Sequence, residues 1–126
     1  MTTMDPNLSD QLGRRALPQN CYRNAAMALL TSGRPELEQA VYVEGIAVRQ
    51  IDGILLPAHH GWLDLADGRI ADPTWCPSTG HPGVAYFPIQ RWTPSEVQWA
   101  VVSHQTFPLL DHQYGNFGLR HPQTKE

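Results

Sequence analysis

Two cysteines, Cys21 and Cys76, are all that 126 residues provide, too few for a disulfide-stapled scaffold. No apolar run is long enough to span a bilayer. The opening stretch, residues 1–18, carries Asp5, Asp10, Arg14 and Arg15 but no apolar h-region, so no secretory signal is expected. These absences lead to the expectation of a cytoplasmic protein, or of an effector delivered without a classical signal. They also favour a free thiol at Cys21 over a Cys21–Cys76 disulfide. Charged residues are only 17% of the chain, the net charge is −3, and no block of one sign occurs. That balance argues against a nucleic-acid partner held by phosphate contacts. No repeat and no low-complexity segment interrupts the chain. What remains is 41% hydrophobic, which suits one folded domain with a single core.

Residues 1–17 have weak periodicity and read as an extended arm or a short helical turn, leaving 19–126 as the single domain. Asn20 is a suitable N-cap for a helix from Cys21 to about Thr31, which Ser32-Gly33 should end. Pro35 to Gln39 fits one further helical turn. Ala40 to Arg49, rich in β-branched and aromatic residues, reads as a strand. Asp52-Gly53 turns the chain into a second strand, Ile54 to Leu65, with Pro57 at an edge or irregular point. Asp67-Gly68 turns it again into Arg69 to Trp75. Residues 76–83 form a loop, and Val84 to Ile89 a fourth strand. Thr93-Pro94-Ser95-Glu96 is a capping box that starts a short helix carrying Val97, Ala100 and Val101 inward. Residues 103–126 should pack partly over the surface through Phe107, Leu109, Leu110, Tyr114 and Phe117. The expected fold is α+β: a helix packed on an antiparallel sheet of about four strands.

Three residues suggest chemistry. Cys21 stands in the first turn of its helix, where unpaired N–H groups and the positive dipole end favour a thiolate. The same N–H groups can hold an oxyanion. His60 and Asp72 follow on successive strands. A thiol nucleophile needs this set: the thiolate attacks, the histidine takes its proton, and the carboxylate orients the ring.

His59 and His60 are adjacent, so they point to opposite sheet faces and only one can serve. The turn decides which of them shares a face with Asp72. A two-residue loop pairs Leu63 with Asp72 and favours His59. A three-residue loop with Gly68 left-handed pairs Trp62 with Asp72 and favours His60. The His59 face, with Leu63 and Leu65, looks more like a core stripe, which makes His60 the expected base.

Other polar residues have two readings each. Gln19 could donate its amide to an oxyanion, beside the Cys21 N–H. Asn20 could do the same or serve only as the cap. Asn24, one turn after Cys21, could meet substrate or a strand end. Glu44 is a lone charge in an apolar strand, and a buried carboxylate needs partners. It is either an anchor, to Arg23 or a loop, or a substrate contact. Trp62 would shield the His60–Asp72 pair from water. Cys76, in the loop after the Asp72 strand, could approach the same site.

These residues resemble the papain-like superfamily of thiol enzymes, and more closely its transglutaminase-like branch. They are also similar to a loose pattern of small uncharacterised bacterial and phage proteins. In it, Cys-Tyr-x-Asn-Ala, Tyr-x-Glu-Gly-x-Ala, His-x-Trp and Asp-Pro-Thr follow one another. It matches Cys21 to Ala25, Tyr42 to Ala47, His60 to Trp62 and Asp72 to Thr74, within residues 19–89. The resemblance implies Cys21 as nucleophile, His60 as base and Asp72 as orienter. It does not supply a substrate; the expectation is peptidase, deamidase or transglutaminase-like acyl transfer on a protein or peptide, without a cofactor. The competing reading is a catalytically silent papain-like domain that binds a protein partner. A metal site from His59 or His60, Asp72 and Cys21 or Cys76 lacks paired ligand spacing.

Overall fold

The computed structural model describes residues 4–14, 20–76 and 83–110. Helix α1 (Pro6–Gly13) opens it, then α2 (Cys21–Thr31), a 3-10 turn (Pro35–Leu37), β1 (Val41–Ile51) and β2 (Ile54–Asp64). The short β3 (Ile70–Ala71), β4 (Ala85–Trp92) and α3 (Pro94–Val102) follow. Among the described residues the fold is α+β, with three helices and one antiparallel sheet of order β3-β2-β1-β4.

The sheet is built on the β1–β2 hairpin, paired from Val41↔Asp64 to Ile51↔Ile54. Asp52 and Gly53 both have positive φ, as a tight turn matched to strand twist requires. Alternation then sorts the side chains. One face carries Tyr42, Leu63, Ala71 and Trp92 into the main core, against Leu8 and Leu12 of α1, Ala25 and Ala26 of α2, and Val97 and Ala100 of α3. The other face gathers Val43, Ala47, Trp62, Ile70 and Tyr86.

Three local expectations change. The N-terminal segment is not merely an arm. Asp5 caps α1 by accepting from the Leu8 N–H, Pro6 follows the cap, and Leu8 and Leu12 are buried one turn apart. Asn20 does occupy the N-cap of α2 but makes no side-chain capping bond. The third strand is two residues long, because the Asp72 carboxylate accepts from the Thr74 and Trp75 N–H groups and turns the chain where Pro73 also ends pairing. The Thr93 capping box forms with both of its bonds. Tyr114, Phe117 and most of the 76–83 loop lie outside the described residues.

Candidate functional site around His60 and Asp72

Turn register comes first. Gly68 is left-handed at φ +90°, and the Leu65 N–H donates to the Arg69 carbonyl. Strand β3 pairs as Leu63↔Ala71 and Asp64↔Ile70, the register of the three-residue loop. Asp72 is therefore in line with Trp62 and on the face of His60. His60 Nε2 lies 2.8 Å from Asp72 Oδ2, with the two side chains 1% and 0% exposed. His59 points to the opposite face, where the Tyr22 ring meets it edge-on at 5.6 Å.

The pair is enclosed. Trp75 stacks on the His60 ring at 4.0 Å between centroids, and Trp62 at 6.2 Å. Behind Trp75 the Arg49 guanidinium lies 4.7 Å from the ring centre, a cation–π contact. The Tyr86 hydroxyl donates to Asp72 Oδ2, and the Ser9 hydroxyl accepts from the Asp72 N–H. With the Thr74 and Trp75 N–H groups on Oδ1, both carboxylate oxygens are occupied.

Charge balance follows from this enclosure. Burial alone pushes the His60 pKa down, but the Asp72 charge and hydrogen bond reverse that. A side-chain hydrogen bond and the charge of Cys21 add to the rise, which brings the ring to about 9. Burial pushes Asp72 up, and His60, the Trp75 N–H and the Tyr86 hydroxyl bring it below its ordinary value. Burial and the Asp72 charge hold the Tyr86 hydroxyl well above the usual phenol range.

No protein-family model, curated protein or solved structure matches this chain.

Cys21 is the half-buried first residue of α2. The helix meets β2 at Gly61, on the face of His59. A Cβ on Gly61 would lie 2.9 Å from Tyr22 Cδ1 and 3.1 Å from Tyr22 Cα, so glycine lets the two backbones approach. Cys21 and His60 are the chain neighbours of that contact.

The remaining residues separate. Asn24 Nδ2 donates to Thr74 Oγ1 at 2.8 Å, tying α2 to the turn beyond β3. Asn20 is exposed. Trp62 is fully buried and donates to Asp64. Glu44 is an anchor to a loop: its carboxylate accepts from the Tyr42 hydroxyl, the Leu109 N–H and the Leu110 N–H. It is fully buried on the face opposite His60, which removes it from any substrate surface near that ring. Gln19 lies outside the described residues. Cys76 is buried and in no disulfide, and its Sγ would be 2.9 Å from a Cβ on Gly13. Among the described residues no three His, Cys, Asp or Glu side chains are grouped to hold a metal, and no helix is long and apolar enough to cross a membrane.

Sequence reasoning missed Ser9, Trp75 and Tyr86. Trp75 was within reach of it, three residues after Asp72 in an Asp-Pro turn. Ser9 and Tyr86 arrive by tertiary pairing, which local pattern does not reveal.

Proposed function

We propose that this chain is a thiol acyl-transfer enzyme with a small papain-like, transglutaminase-like core. Cys21 is the nucleophile, His60 the base and Asp72 the orienter. The single observation that carries the reading is the buried His60–Asp72 pair, 2.8 Å apart, with Cys21 among the groups that raise the His60 pKa. A buried ion pair is often no more stabilising than packed apolar residues. Its enclosure beside a helix-terminal thiol therefore favours chemistry over stability.

In this mechanism the Cys21 thiol proton already rests on His60, on Nδ1 since Nε2 faces Asp72, because the ring keeps its second proton up to about pH 9. The thiolate sulfur bonds to the carbonyl carbon of an amide or ester, and the carbonyl electrons move to oxygen. The Cys21 N–H and the Asn20 side-chain amide, which makes no capping bond, are the proposed donors for that oxyanion. Collapse re-forms the carbonyl, breaks the bond to nitrogen or oxygen, and His60 returns the proton to the leaving group. Water or an amine then attacks the thioester with His60 again as base. The substrate is a protein or peptide.

Incubation with p-nitrophenyl acetate tests the acyl-enzyme step. A nitrophenol burst and an acetyl group on Cys21 are expected by mass spectrometry. Neither is expected in His60→Ala. Acetylation confined to Lys125 or the N-terminus would overturn the reading in favour of a silent, partner-binding domain.

A further inference from the structure

A cleft of about 380 Å³ runs between α1 and α2. Leu12, Met27 and Ala28 give it an apolar floor, and Gln11, Asn24, Thr31 and Ser32 give it hydrogen-bonding walls. Arg14, Arg23 and Arg34 rim it, three of the nine basic residues of a net acidic chain.

Among the described residues these arginines differ from the other three. Arg69 is held by Asp5 and Asp67, Arg91 by Asp64, and Arg49 lies over Trp75. Arg14 and Arg23 make no ion pair among the described residues, and Arg34 reaches Glu36 only at 3.9 Å. Positive charge is thus concentrated on a concave surface that no acid lines among the described residues. Guanidinium groups bind carboxylates in a planar, bidentate fork.

Position gives the cleft a purpose. Cys21, Asn24, Ala28 and Thr31 follow the helical repeat on one stripe of α2. The cleft lines Asn24, Ala28 and Thr31, and Cys21 is at the head of that stripe. At a rise of about 1.5 Å per residue the stripe is roughly 15 Å long, the reach of four or five extended residues.

We propose that this cleft binds the acidic side chains of a peptide whose reacting carbonyl lies at Cys21. The inference rests on the thiol-enzyme reading for its link to the reacting carbonyl, but carboxylate binding in the cleft can be measured without it.

The test uses fluorescence anisotropy with a short labelled peptide alternating glutamate and alanine, and its glutamine counterpart. The protein is the full chain carrying Cys21→Ser, so that no turnover occurs. The glutamate peptide is expected to bind at least about tenfold more tightly than the glutamine one, and to weaken as salt is raised. Arg14→Gln and Arg23→Gln, both exposed, should each weaken it several-fold and together abolish the preference, with circular dichroism unchanged. In the unmodified chain the glutamate peptide should also slow iodoacetamide alkylation of Cys21.

Equal affinity for the two peptides, or an unchanged preference in the double variant, would overturn the proposal. So would arginine-dependent binding that leaves Cys21 alkylation untouched, because the cleft would then be separate from the thiol. The enzyme reading fails on a different result: Cys21 alkylation that does not depend on His60, with these binding arms still readable.

Discussion

Asp72 Oδ2 receives two groups at once, His60 Nε2 at 2.8 Å and the Tyr86 hydroxyl at 2.7 Å. The carboxylate is thereby fixed on one side of the His60 ring. The orientation of that ring depends on a residue that touches no substrate in the proposed mechanism.

Asp72→Asn removes the charge while keeping the shape. Burial already pushes the His60 pKa down, and without the Asp72 charge that effect should win. The ring, at about 9 in the native chain, is expected to titrate below its ordinary value in the variant, as followed by histidine NMR shifts. Loss of one partner of a buried pair should also cost about 3–5 kcal/mol in urea unfolding.

Stability should depend on pH through the same ring. Its ordinary value is 6.5 and its folded value about 9. A raised histidine value means that the folded state holds the proton more tightly. That contribution is fully present below 6.5 and is lost as pH rises through about 9. Asp72 is lowered, so its contribution is present above the ordinary carboxylate range and is lost as pH falls through its folded value. The urea midpoint is expected to decline across the alkaline window in the native chain and to stay flatter there in His60→Gln. A native profile flat across that window contradicts the assignment.

Glu44 should matter for the C-terminal segment rather than for reactivity. Glu44→Ala leaves the Tyr42 hydroxyl and the Leu109 and Leu110 N–H groups without their acceptor. Each orphaned buried donor costs about 1–3 kcal/mol. Limited proteolysis should then cut near Phe107, while Cys21 in the folded fraction keeps its alkylation rate. Burial raises the Glu44 pKa against the three hydrogen bonds that lower it. Its ionisation therefore opposes folding: its stabilisation is greatest in acid and declines as pH rises through the folded value.

Gly61→Ala probes how α2 is seated. The new methyl would press on Tyr22 at 2.9 Å and 3.1 Å. Overpacking of this kind costs about 1–3 kcal/mol, and the shift should move Cys21 relative to His60. A lower thermal midpoint together with slower Cys21 alkylation is expected. An unchanged alkylation rate would mean that the thiol is positioned from elsewhere.

Much of this arrangement was legible in residue order, and the exceptions have physical causes. The core stripe of Leu63 and Leu65 favoured His60 over His59 while the turn left both registers open; the left-handed Gly68 decides between them, because a one-residue slip reverses every face. The bounds of α2 and the Thr93 capping box follow from local chemistry in the same way. Helix α1 was missed because its burial rests on only two apolar positions, Leu8 and Leu12, although Asp5-Pro6 is a helix-start signal. The short β3 was overextended because the Asp72 side chain competes with the strand for the following N–H groups. Glu44 stayed ambiguous because its partners are more than sixty residues away in sequence.

Iodoacetamide alkylation at near-neutral pH, followed residue by residue by mass spectrometry, tests the central claim most directly. The native chain and His60→Ala are compared, with buried Cys76 as the internal reference. Rapid labelling of Cys21 that slows at least about tenfold in His60→Ala, with Cys76 slow in both, is the predicted result. Equal Cys21 rates in the two proteins would contradict a working Cys21–His60 pair.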